Sequence, residues 1–71
     1  MDRIVLKFSE RLRKLRLKNH LTQLKLSELS GIEYRHIQLL ESKTPCDIKI
    51  STLFKLAKAF NMSASKLIDL D

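Results

Sequence analysis

One glycine, at position 31, and one proline, at position 45, punctuate 71 residues. An all-β chain needs a turn signal every ~8–12 residues, and this chain cannot supply them. Long stretches without either residue are instead what helices require, because both are poor in helix interiors. The sequence therefore predicts an all-α fold, read as one domain over residues 1–71. Hydrophobic residues make up 44% and charged residues 31%, enough apolar surface for a core and too much for wholesale disorder. A single Cys excludes an intrachain disulfide and argues against a Cys-based zinc site. No apolar run approaches the ~18 residues of a membrane span, and no signal-peptide core is present. The expectation is a soluble, cytoplasmic helical domain.

Five helical segments can be read. The first covers about 4–18, with Ile4, Phe8, Leu12 and Leu15 at helical spacing. The second covers about 22–30, with Thr22 as N-cap and Leu21 and Leu26 placed for a hydrophobic staple. Gly31 stands where that helix must stop in a left-handed conformation. The third covers about 33–42, the fourth about 50–60 with Leu53, Leu56, Ala57 and Phe60 on one face, and the fifth about 64–69 behind a Ser63 cap. Pro45 disfavours helix at Thr44, and Asn61 suits a left-handed stop.

Charge is the first functional clue. Fourteen Lys and Arg against eight Asp and Glu give +6. Residues 1–25 carry eight cations and two acids, whereas 26–71 carry six of each. A small basic domain suggests a polyanion, nucleic acid first and an anionic membrane second. The first segment, as a basic amphipathic helix, is the part a membrane reading would use. The apolar faces of the later segments give its stripe a core to join instead.

Leu21–Ser42, LTQLKLSELSGIEYRHIQLLES, carries the functional signal. It reads as helix, tight turn at Gly31, helix, the pattern of a helix-turn-helix. Leu26, Leu29, Ile32, Ile37 and Leu40 are the expected inner residues. Glu33, Tyr34, Arg35, Gln38 and Leu39 then form the outer face of the second helix of the pair. Arg and Gln are the side chains that read base edges through paired hydrogen bonds. His20 and His36 lack the carboxylate or Cys neighbours of a metal site or triad and are expected at the surface, with His36 near the DNA edge. Cys46 is expected to be a bystander. No Gly-rich phosphate loop, zinc-hydrolase motif or carboxylate pair occurs, so neither an enzyme nor a cofactor is expected.

The chain resembles the Cro/repressor-type (XRE-like) helix-turn-helix regulators. The resemblance rests on LRKLR at 12–16, LTQ at 21–23, Leu26, Gly31-Ile32, Ile37, Leu40-Glu41 and TLFKLAKAFNMSASKL at 52–67, and so covers about residues 8–70. It implies a compact five-helix domain whose second helix lies against the DNA backbone and whose third enters the major groove. It further implies that Thr22 and Gln23 meet a phosphate, that Tyr34, Arg35 and Leu39 face base edges beside Glu33 and Gln38, and that Ser42, Lys43 and Lys49 clamp phosphates from the loop. Arg35 is the candidate for a guanine and Leu39 for a thymine methyl. Arg16 and Glu41 match positions that hold a partly buried ion pair in the family, a structural role. Lys43 stands where the family commonly has Gly, Glu33 where it has Ser or Thr, and Leu24 where it has a polar residue. The loop before the fourth helix is also slightly longer than the common form.

The expected function is that of a sequence-specific transcriptional regulator, a homodimer on a palindromic operator. Phage repressors, restriction–modification controllers and antitoxins use this domain. With no sensor or toxin-binding extension in these 71 residues, the short controller or Cro-like forms are favoured. The alternative is an antitoxin-type module with a toxin as protein partner and DNA binding secondary. The dimer surface is expected in the fifth helix and adjoining parts of the fourth, with Ile68 and Leu70 contributing, because the basic N-terminal half would repel its own copy.

Overall fold

The computed structural model describes residues 3–70. Five helices follow one another: α1 (Arg3–Lys18), α2 (Gln23–Ser30), α3 (Tyr34–Leu40), α4 (Ile50–Ala59) and α5 (Ala64–Leu67). No strand occurs among the described residues. The molecule measures 28 × 24 × 22 Å.

Each helix contributes its apolar side to one core. Phe8 and Leu12 come from α1, Leu26 from α2, Ile32 from the turn, Ile37 and Leu40 from α3, Leu56 and Ala57 from α4, Phe60 from its end and Leu67 from α5. Leu12, Leu26, Ile37, Leu56 and Leu67 are fully buried. Burying a side chain of this size stabilises by about 1.5–3 kcal/mol, so these residues account for most of what holds the helices together.

The helix ends follow the local chemistry. The Thr22 hydroxyl accepts from the Lys25 amide at 3.0 Å, and the Ser63 hydroxyl accepts from the Lys66 amide at 3.2 Å. Gly31 adopts φ 75°, and its N–H donates to the Ser27 carbonyl at 2.9 Å. His20 and Asn61 take the same left-handed conformation, φ 56° and 57°, after α1 and α4. Arg11 closes α5 from outside. Its Nε and Nη2 donate to the carbonyls of Leu67 and Lys66 at 2.6 and 2.7 Å, satisfying acceptors that a helix end leaves open.

Two inward expectations fail. Leu29 is 52% exposed, because α2 turns Leu26 and the polar Gln23, Ser27 and Ser30 inward. Both serines are taken up by the turn, so the inner arc of α2 is shifted away from Leu29. Ile4 is 58% exposed, since the first turn of α1 overhangs the core beyond Phe8. Ile68 lies just past the end of α5 and is 48% exposed, as a contribution to the dimer surface requires, whereas Leu70, expected beside it, is half-buried against the core. Helices α3 and α5 are also shorter than the sequence pattern suggests, because Glu33 and Glu41 flank α3 as caps and Ile68 caps α5.

Candidate nucleic-acid interface

The interface is built on the α2–turn–α3 unit. Three contacts lock the turn. Ser27 Oγ donates to the Ile32 carbonyl. Ser30 Oγ donates to the Leu26 carbonyl at 2.7 Å and accepts from the Ile32 amide at 3.2 Å. Ile32, 5% exposed, is driven into the core between the helices. A buried anchor with hydroxyl locks on both sides fixes the angle between α2 and α3. The sequence pattern singled out Gly31 and Ile32 but not the two serines, whose spacing on α2 looks like ordinary polar surface.

Ile37 and Leu40 point α3 inward, which turns Tyr34, Arg35, Gln38 and Leu39 outward. At 100° per residue these four occupy an arc of about 140°, with Arg35 and Gln38 near its centre. None of their side chains makes a hydrogen bond or ion pair among the described residues. Glu33 caps α3 with no side-chain bond to the helix and is exposed beside them. His36 departs from expectation. It is half-buried and, with Glu33, Thr52 and Lys55, lines a pocket between the turn and α4.

Behind this face sits a polar junction. Arg16 donates to Glu41 through Nε at 2.7 Å and Nη2 at 3.0 Å, and through Nη1 to the Leu21 carbonyl at 2.7 Å. The side chains are 11% and 3% exposed. Gln23 Nε2 donates to the same carboxylate at 3.3 Å. The Arg16–Glu41 pair thus gathers the end of α1, the segment before α2, the first turn of α2 and the end of α3. Gln23 retains one amide N–H and its carbonyl oxygen for an external group, and the exposed Thr22 beside it is occupied by its capping bond.

The loop after α3 packs rather than projects. Pro45 is buried and Cys46 and Ile48 are half-buried, while Ser9 Oγ donates to the Ser42 carbonyl at 3.4 Å. Ser42 Oγ donates to the Leu39 carbonyl at 2.8 Å and accepts from the Thr44 amide at 3.3 Å, so this hydroxyl shapes the loop. Lys43 and Lys49 are exposed on it. Lys43 follows Ser42 in this turn where the family commonly has Gly, and the Ser42 bonds close the end of α3 instead.

A rigid helix pair with an unpaired Arg/Gln row and an open helix N-terminus beside it is the arrangement by which such a pair presents itself to a groove. The family model for helix-turn-helix proteins matches residues 12–67. The chain belongs to the helix-turn-helix family. Among curated proteins it is similar to control protein C.SmaI of Serratia marcescens, with 40% identity over 60 residues, 84% of this chain and 70% of that protein. Its structure is similar to the crystal structure of the restriction-modification controller protein C.AhdI from Aeromonas hydrophila, with a TM-score of 0.82 and 30% identity over 89% of this chain and 94% of the other. No helix among the described residues is long and apolar enough to cross a membrane. No group of three or more metal-ligating side chains is gathered among them.

Proposed function

We propose that this helix-turn-helix protein is a sequence-specific DNA-binding transcriptional regulator of the restriction–modification controller kind, acting in the cytoplasm as a homodimer on a palindromic operator. The observation that carries the reading is the outward row of α3, held at a locked angle to α2 in a chain whose relatives are controller proteins. Arg35 would donate twice to guanine O6 and N7, and Gln38 would pair with adenine. Leu39 would touch a thymine methyl, and Tyr34 and Glu33 flank the row. Phosphates would be met by the α2 N-terminus at Thr22 and Gln23 and by Lys43 and Lys49, with Ser42 holding the loop in shape. The domain works by binding alone and needs no catalytic group.

Dimerisation follows from energetics. One module of this size buries ~600–1,000 Å² on DNA, and two-fold symmetry doubles the readout at half-sites about one helical turn apart. The α4–α5 side supplies apolar surface for a second copy. Ile50 is 73% exposed and Phe54 59%, the latter lining a groove with Ala57, Met62 and Ala64. Residues 26–71 carry no net formal charge, so two copies meet there without strong repulsion.

Selection of duplexes from a random pool tests the reading. The expected outcome is a palindrome whose half-sites each contain a guanine protected in footprints, bound with strong salt dependence. Recovery of no preferred sequence, or affinity flat from low to moderate salt, would overturn it. Sedimentation of a Phe54→Lys variant tests the placement of the dimer face, and dimerisation undiminished by this change would refute it.

A further inference from the structure

We propose that the outer face of α1 is a second, sequence-independent site for the DNA backbone, so that a protomer seated on one duplex can hold another. The inference rests on the DNA-binding reading above and concerns a different surface.

Helix α1 carries seven cations and one acid, Glu10, a net +6 that equals the formal charge of the whole chain. Two of those cations are engaged internally, Arg16 with Glu41 and Arg11 with the end of α5. Arg3, Lys7, Lys14 and Lys18 are exposed and make no hydrogen bond or ion pair among the described residues. At 100° and 1.5 Å per residue they fall within an arc of about 60° and form a ridge roughly 22 Å long. Ser9 and Arg16, which face the loop and the end of α3, lie about 120–180° round the helix from that ridge. Four of the five cations that α1 leaves unengaged are therefore turned away from the α2–α3 face, the exposed Arg13 lying outside the ridge.

The chemistry of the ridge selects the partner. It contains three lysines and an arginine with no aromatic side chain, Glu10 lying at its edge and Asp69 nearby, and protein interfaces are depleted in Lys and enriched in aromatics. Insertion into a membrane would need the apolar side of α1, but Phe8 and Leu12 are 6% and 0% exposed in the core. A row of flexible point charges does match a phosphate backbone, which offers one charge per ~1.7 Å of duplex and makes no demand on base sequence.

The test uses the full chain and two duplexes. One, of any sequence, is fixed to beads, and capture of a second, labelled duplex is measured with wild type and with the triple variant Lys7→Gln, Lys14→Gln, Lys18→Gln. The three side chains are exposed, and a thermal melt establishes that the variant folds. The expected result is capture by wild type, a loss of more than about tenfold in the triple variant, and affinity for a single duplex on the α3 face reduced less than about threefold. Capture undiminished in the triple variant would place the second duplex on the recognition face of the other protomer and overturn the proposal. So would absence of capture by wild type, or an equal loss of single-duplex affinity. Binding of a poly-glutamate chain or of anionic vesicles to the ridge, with no second duplex held, would assign the face to another polyanion and equally overturn it. Failure to select an operator would count against the proposed function alone, since capture is measured on any sequence.

Discussion

Arg16 and Arg35 are the same side chain in two opposite settings. Arg16 lies at the end of α1 under the recognition unit, 11% exposed, with its guanidinium donating to a carboxylate and a backbone carbonyl. Arg35 stands in the first turn of α3, exposed, and no group of the described chain answers its five donors. In the first setting the charge is consumed in joining three elements. In the second it is presented outward by a helix whose other side is anchored through Ile37 and Leu40. A formal charge therefore says little about function until its partners are known. What makes a cation available to a ligand is the absence of an internal acceptor, and the fold decides that.

The contrast can be broken most forcefully at Glu41. Removing the carboxylate leaves Arg16 without its counter-charge and Gln23 without its acceptor in a nearly closed junction. Breaking such a pair costs ~3–5 kcal/mol. Glu41→Ala is expected to lower the melting temperature by well over 10 °C, given ~4–8 °C per kcal/mol in a domain of this size. If it melts like the wild type but binds DNA weakly, the junction belongs to the interface and the contrast fails.

At Arg35 the expected effect is on sequence discrimination and leaves the melt unchanged. Arg35→Lys keeps the charge and loses the planar fork. A good bidentate contact discriminates by ~1–3 kcal/mol, about 5- to 150-fold. Operator preference over scrambled DNA should fall by that factor while binding to scrambled DNA is largely retained. A uniform loss on both sequences would make Arg35 a phosphate contact.

Gly31 sharpens the comparison from the backbone. A Cβ at this position would meet nothing within 4 Å, so Gly31→Ala tests the φ of +75° alone. The left-handed conformation costs a non-glycine residue ~1–2 kcal/mol, and urea denaturation should show a loss of that size. Folded Gly31→Ala protein should bind operator like the wild type, because the serine bonds and Ile32 still set the angle between α2 and α3. A gain in stability would mean that the loss of unfolded-state freedom outweighs the strain.

Helix content, the caps at Thr22 and Ser63, the left-handed stops at Gly31 and Asn61 and the outward row of α3 were all legible in the sequence. Each depends on neighbours within about four residues, and such chemistry is written locally. The Arg16–Glu41 pair was reached only through family resemblance, since nothing local links positions 25 apart. Tertiary structure alone decided the rest. Leu29 and Ile4 fit the apolar periodicity yet are exposed, because an inward arc is set by what packs against it. His36, expected at the surface, is half-buried beside the turn and α4. Arg11 counted toward a basic surface until the end of α5, more than fifty residues away, came to lie across it. The sequence determined that the N-terminal segment is positive. Which of its cations are used within the fold, and that the remaining ridge faces away from the helix-turn-helix, depends on contacts between residues distant in the chain, and local periodicity carries no information about them.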